Sequence, residues 1–132
     1  MITAVDTNVL LDVLGADPTF GQVSRRWLIQ ARSQGSLVAC EAVWSEVVGF
    51  FPDSNQALAA LEAIGLQYQA LEREAALRAG AAWKAYRSRG GSRQRVLADF
   101  LIGAHAQIQS DRLLTRDSGY FRTYFPELKL FG

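Results

Sequence analysis

Short apolar runs alternate with amphipathic helical segments along this chain, and no other feature of the sequence restricts the fold as much. We predict strands at about 2–6, 37–40, 65–69, 112–115 and 128–131. We predict helices at about 7–14, 21–34, 42–51, 54–64, 72–88 and 93–109, with a short helical turn opening at Asp117. Apolar strands this short are typical of parallel sheets that are buried on both faces. The alternation therefore predicts an α/β fold with a mainly parallel sheet.

The composition restricts the cellular compartment in which the chain is expected to act and the metals that it can bind. With 132 residues, 49% of them hydrophobic, the chain is expected to fold as one domain and not to be disordered. It has one cysteine, Cys40, and one histidine, His105, which excludes disulfide frameworks and multi-histidine or thiolate metal sites. We find no basic leader before an apolar run and no apolar run of the ~18 residues that a membrane span needs. We therefore predict a cytoplasmic protein with oxygen ligands for any metal.

A net charge of +1 conceals a strong asymmetry between the two halves of the chain. Residues 1–66 contain three basic and seven acidic residues, whereas residues 67–132 contain eleven and six. The segment 84–95 has five basic residues and no acidic one. Such a segment is either a solvated helix end or a phosphate-binding patch, with Tyr86 as a stacking ring. The residues predicted to contact RNA are Lys84, Arg87, Arg89 and Arg93.

Two acidic residues directly follow predicted strands. Asp6 ends the first strand and Asp117 follows the fourth. In open α/β sheets, ligands bind at the carboxyl ends of the strands, so both residues are candidates for a functional site. Asp is also a common helix N-cap, and that structural role is the alternative for each.

Two further acidic residues lie on predicted helices. Asp99 is the only charge in the apolar run Val96–Ala104, where a charge is costly unless it pairs or binds a cation. An ion pair with Arg95, four residues earlier, is the structural alternative. Glu46 lies away from the main apolar stripe of its helix and could simply be exposed. If the four acids converge, they repel one another unless a cation intervenes, and oxygen ligands favour Mg²⁺ or Mn²⁺. Such a site suits phosphodiester cleavage.

The order of these motifs resembles the PIN-domain nucleases, and among them the VapC toxins of bacterial toxin–antitoxin pairs. The motifs are Asp6-Thr-Asn8, Glu46 in Trp44-Ser-Glu-Val-Val48, Asp99-Phe-Leu-Ile-Gly-Ala104 and Leu114-Thr-Arg-Asp117. The resemblance extends to the ending Tyr124–Leu130, whereas 52–95 matches no motif and is where target choice is expected to reside.

That resemblance implies one nuclease domain over residues 1–132, folded as a PIN-like α/β/α sandwich. It implies a Mg²⁺- or Mn²⁺-dependent endoribonuclease that forms a homodimer and is inhibited by a VapB-like antitoxin. By position, the catalytic and metal-binding acids would be Asp6, Glu46, Asp99 and Asp117. Polar support would come from Thr7, Asn8 and Thr115.

Three other functions fit parts of the sequence. A housekeeping RNA-processing PIN nuclease would share the site, and a non-catalytic binding module would share only the scaffold. A receiver-like signalling module is disfavoured because Ala4-Val5, not acids, precede Asp6, and Lys129 lies at the end of the chain.

We expect structural roles for residues of four further types. We expect a surface or secondary electrostatic role for Asp12 and packing for His105 and Cys40. Core or dimer contacts are expected for Trp27, Trp44 and Trp83.

Overall fold

The computed structural model describes all residues 1–132, and a parallel sheet runs through its centre. The strands β1–β5 span Ile2–Val5, Ser36–Ala39, Leu66–Tyr68, Arg112–Leu114 and Leu130–Phe131. The helices α1–α7 span Thr7–Leu14, Gly21–Gln34, Glu41–Phe50, Ser54–Ile64, Arg73–Ser88, Leu97–Gln109 and Ser118–Tyr124. The α/β fold class and the parallel sheet are thus confirmed, including the short third strand. No helix is both long enough and apolar enough to span a membrane.

The sheet order is β3-β2-β1-β4-β5, so β1 and β4 are neighbours although most of the chain lies between them. The chain moves outward in one direction from β1 to β3 and in the other direction from β4 to β5. Parallel crossovers are almost always right-handed, so the connections on the two sides of this reversal run over opposite faces. In open α/β sheets, ligands bind at such a switch point, which lies here outside the carboxyl ends of β1 and β4.

An aromatic cluster around Phe100 fills the space between α5, α6 and α7. Phe100 is fully buried, and its ring contacts those of Trp83, Tyr86, Tyr120 and Tyr124 at centroid separations of 5.3 to 5.8 Å. Since α6 carries Asp99 immediately before Phe100, this packing holds the acidic residue at a defined place on the helix surface.

The predicted start of α6 at about residue 93 is wrong, because the helix begins at Leu97. The backbone N–H of Val96 donates to the Asp99 carboxylate at 3.0 Å, which ends the preceding loop at Val96. An acidic side chain that reaches back from the third helical position is half of a capping box. Segment 89–96, between α5 and α6, is therefore a loop that contains Gly90 and Gly91.

The packing roles predicted for several residues are confirmed. Cys40 and His105 are buried, and the His105 Nε2 atom lies 2.7 Å from Gln69 Oε1. Burial lowers the pKa of His105, as expected for a neutral core imidazole. The partly buried tryptophans pack against the core, and they are Trp27, Trp44 and Trp83.

Candidate active site

Asp6 lies at the carboxyl end of β1 and is anchored to the end of β4. Its backbone N–H donates to Leu114 O at 2.9 Å, and its Oδ2 accepts from Thr115 Oγ1 at 2.7 Å. The same Thr115 hydroxyl oxygen accepts from the Asp117 N–H at 2.9 Å. One threonine therefore connects the two strand-end acids. Asp6 and Asp117 both precede helices, but neither carboxylate caps its helix, so the N-cap role considered as the alternative for each is wrong.

The environment of Asp6 opposes its ionisation. Burial is the main cause, and it raises the pKa of Asp6 from 3.8 to about 6. The hydrogen bond from Thr115 acts in the opposite direction, whereas the negative charges of Asp99 and Asp117 raise the pKa further. The three carboxylates therefore lie close enough to one another for their charges to interact.

Asp99 and Asp117 are held by different partners. Asp99 Oδ2 accepts from Val96 N, while Asp117 Oδ2 lies 2.5 Å from Arg95 Nη1. The Arg95–Asp99 ion pair, the structural alternative for Asp99, does not form. It assumed that both residues share one helix, but Arg95 lies in the loop before α6 and its side chain extends to the end of β4 instead.

Glu46 joins the site from α3 through Thr7. Its side chain is exposed, and its Oε1 accepts from Thr7 Oγ1 at 2.6 Å. Because Thr7 directly follows Asp6, this bond fixes the fourth acid relative to the first. The hydroxyls of Thr7 and Thr115 each donate a hydrogen bond to one of the acids. Asn8 makes no hydrogen bond to any of the acids, and its buried Oδ1 atom has no hydrogen-bond partner.

Comparison with known proteins identifies the family and the fold. A sequence model of the PIN domain matches residues 3–126, nearly the whole chain. The chain belongs to the PIN domain family. Members of this family are nucleases, and they generally use divalent metal ions. No curated protein sequence shows significant similarity to the chain.

Solved structures with the same fold come from several bacteria. VapBC2 from Rickettsia felis, bound to a promoter DNA fragment, superposes with a TM-score of 0.76 at 18% identity, covering 99% of this chain and 98% of that chain. VapBC-1 from nontypeable Haemophilus influenzae superposes with a TM-score of 0.75 at 18% identity, covering 99% of this chain and 97% of that chain. A toxin–antitoxin complex from Klebsiella pneumoniae gives 0.68 at 20% identity, with 98% and 96% covered. At these identities the likeness concerns the PIN fold.

The acids of this PIN domain fit a divalent cation by their chemistry. Glu46, Asp99 and Asp117 each keep one carboxylate oxygen that makes no hydrogen bond within the protein. An all-oxygen, all-anionic donor set suits Mg²⁺ or Mn²⁺. In the present arrangement, no group of three or more acidic side chains is close enough to enclose an ion. The positive charge at Asp117 is instead the guanidinium of Arg95.

One residue near these acids, Tyr120, was not anticipated. The Tyr120 hydroxyl is buried without a hydrogen-bond partner, and the Arg95 guanidinium lies 4.2 Å from the centre of its ring. Burial raises the pKa of Tyr120, and the charge of Asp99 raises it further, so the phenol stays neutral. The only sequence clue was spacing, since Tyr120 lies one helical turn beyond Asp117.

A surface position for Asp12 is wrong, because Asp12 is only 4% exposed. Its carboxylate accepts from Arg116 Nε at 2.6 Å and Nη2 at 3.0 Å, and from Ser24 Oγ at 2.7 Å. Arg116 lies between Thr115 and Asp117. The buried pair therefore ties α1 to the turn that presents Asp117 to the site.

The four predicted RNA contacts divide into two groups. All are exposed, but only Arg87 and Arg93 line a cleft of about 400 Å³, together with Arg95 and the ring of Trp83. Lys84 and Arg89 lie outside it. The interpretation of Tyr86 as a stacking ring is wrong, because Tyr86 is buried under Gly91 and donates its hydroxyl to Ser92 O.

Proposed function

We propose that this PIN domain is a Mg²⁺- or Mn²⁺-dependent endoribonuclease that acts as the toxin of a toxin–antitoxin pair. One observation carries the proposal: Asp6 and Asp117, at the carboxyl ends of β1 and β4, share the Thr115 hydroxyl, and the charge of Asp99 acts on Asp6. Glu46 is linked to this group through the Thr7 hydroxyl. The 132 residues are proposed to act as one nuclease domain.

The chain's own residues would divide the work of the reaction. Asp6, Asp99, Asp117 and Glu46 would hold the metal. When bound, a divalent cation supplies an activated water and charge stabilisation at the scissile phosphate. Thr115 keeps Asp6 and Asp117 in a fixed relation, so little reorganisation is needed when the substrate arrives. Glu46 lies at the exposed rim, and its second carboxylate oxygen, which makes no hydrogen bond within the protein, would be its metal ligand.

A polynucleotide substrate is supported by the arginines beside the acids. Arg87 and Arg93 line the cleft, and the Arg87 guanidinium lies 5.3 Å from the centre of the Trp83 ring. Lys84 and Arg89 extend the positive surface along the end of α5. Phosphates would contact these charges, and a single-stranded base could stack on the partly exposed Trp83. RNA is the substrate class we propose.

Cleavage of a labelled RNA by the purified protein tests the activity. We expect cleavage with Mg²⁺ or Mn²⁺, none with excess EDTA, and a loss of orders of magnitude in Asp6→Asn. Asp53→Asn is the matched control, because Asp53 caps α4 and has no contact with the acidic site. Undiminished cleavage in EDTA would reject the metal-dependent mechanism.

A groove on the surface favours the toxin over a housekeeping RNA-processing nuclease. Apolar residues of α1, α2 and α4 line a groove of about 470 Å³, flanked by Arg25 and Arg32. Ile29 lies in it and is 58% exposed. We propose that an antitoxin segment with apolar residues and acidic flanks docks there, because it would cover the apolar lining and pair with both arginines.

Co-purification with the product of an adjacent small gene tests this partner. Ile29→Glu should abolish the complex and leave RNA cleavage intact, because it places a charge in the apolar groove. Leu77→Glu is the control, because Leu77 is also exposed, at 70%, but lies on α5 outside the groove. Light scattering of the protein alone tests the proposed homodimer.

A further inference from the structure

Arg95 is the only basic side chain that bonds directly to one of the four acids. Its Nη1 lies 2.5 Å from Asp117 Oδ2, and both side chains are about one-third exposed, at 30% and 34%. The pair is therefore partly shielded and still accessible to ions and substrate.

The guanidinium borders two different environments. On one side it meets Asp117 and the charge of Asp99, and on the other it lines the cleft that Arg87 and Arg93 share. The Tyr120 ring packs against the guanidinium, and its centre lies 4.2 Å from Arg95 Cζ. Arg95 lies in loop 89–96, so its side chain can turn from the acids to the cleft without disturbing a helix.

Arg95 is charged in either position. Burial lowers its pKa, but the hydrogen bond and the charge of Asp117 more than offset this, so the pKa is raised. The positive charge of the Arg95 guanidinium beside Asp117 offsets the repulsion among the acids. A divalent cation at the same carboxylates would have to compete with that charge.

We propose that Arg95 occupies Asp117 in the cation-free protein, competes with the divalent cation, and contacts the substrate phosphate once the cation has displaced it. This inference rests on the proposed nuclease function. It makes Arg95 an internal counter-ion that becomes a phosphate-binding residue when the site is loaded. A planar guanidinium suits both roles, because it bonds carboxylates and phosphates with the same geometry.

Calorimetric titration with Mn²⁺, without RNA, measures the competition directly. Arg95→Gln should bind Mn²⁺ on the order of tenfold more tightly than the wild type, because a charge-assisted bond no longer has to be broken. Arg93→Gln is the matched control, since it removes the same charge from the same loop but has no acidic partner. Equal affinities in the two variants would overturn the inference and leave the proposed function standing. No Mn²⁺ binding by any of the proteins would overturn both.

A second measurement tests the phosphate contact. Affinity for a non-cleavable 2′-O-methyl RNA is measured against salt, with and without Mn²⁺. With Mn²⁺, Arg95→Gln should reduce the log–log salt slope by about one relative to the wild type. Without Mn²⁺ the two slopes should agree, because Arg95 is then held by Asp117. A reduction of equal size in both conditions would show that Arg95 is an ordinary phosphate contact and not one gated by the cation.

Discussion

The Thr115 hydroxyl donates a hydrogen bond to Asp6 Oδ2 at 2.7 Å and thereby joins the ends of two neighbouring strands, β4 and β1. The donor and acceptor are 109 residues apart in sequence. The bond is buried, and the same hydroxyl oxygen receives the Asp117 N–H. Removing one hydroxyl should therefore disturb two acids together.

Thr115→Val tests this relationship at nearly constant volume. The free energy of unfolding should be about 1 kcal/mol lower than that of the wild type, because a buried hydrogen bond is lost. Activity should fall further than stability does, because Asp6 loses the bond that favours its charged form. Thr123→Val is the control, since the Thr123 hydroxyl donates only to Gly119 O on the exposed side of α7. Urea denaturation and RNA cleavage provide the two measurements.

The raised pKa of Asp6 predicts how stability depends on pH in the absence of metal. The Asp6 carboxyl group binds its proton more tightly in the folded state than in the unfolded state. Its contribution to the free energy of unfolding is therefore fully present below pH 3.8 and is lost as the pH rises through about 6. The loss is about 3 kcal/mol. Asp6→Asn imitates the protonated form and should remove this part of the slope. Denaturation of both proteins in EDTA between pH 4 and 7 would contradict the prediction if the two curves stayed parallel.

Asp99→Asn should separate activity from stability. The amide oxygen can still accept from the Val96 N–H, so the cap of α6 is retained. One charge leaves a repulsive group, so the metal-free protein should be as stable as the wild type or more stable. Cleavage should fall by orders of magnitude, because a neutral amide is a poor ligand for Mg²⁺. A destabilised variant that still cleaves RNA would contradict this assignment.

The ion pair between buried Asp12 and partly exposed Arg116 should be a major determinant of stability. Arg116→Ala leaves the Asp12 carboxylate, only 6% exposed, without its counter-charge. The expected cost is about 3 kcal/mol. Arg122→Ala, an exposed arginine on α7, should change stability by about 0.5 kcal/mol or less. Thermal unfolding of the two variants measures the difference.

Salt dependence tests the cleft as the RNA site. The double change of Arg87 and Arg93 to Ala should lower the log–log slope of RNA affinity by about one to two units. The same double change at Arg25 and Arg32, in the apolar groove, should leave the slope unaltered. If the slope for the cleft variant did not change, segment 84–95 would be a solvated surface after all.

Local sequence predicted more of the fold than of the contacts within the site. Asp6 and Asp117 could be placed because each directly follows a short apolar strand, and strand ends are readable from a few residues. The ion pair of Arg95 could not be predicted, because it depends on the residue at which the loop before α6 ends. The hydrogen bond from the Val96 N–H to the Asp99 carboxylate sets that boundary. The burial of Asp12 depends on Arg116, which lies 104 residues later in the chain.

The neighbouring positions of β1 and β4 have a consequence for synthesis of the chain. Asp6 is synthesised 109 residues before Thr115, whose hydroxyl group completes its surroundings. A nascent chain that stops before β4 lacks the central pairing of the sheet as well as one of the four acids. Such contacts, distant in sequence, form late in folding. The acidic site is therefore assembled only after β4 has been synthesised, and a shorter nascent chain carries an incomplete set of acids.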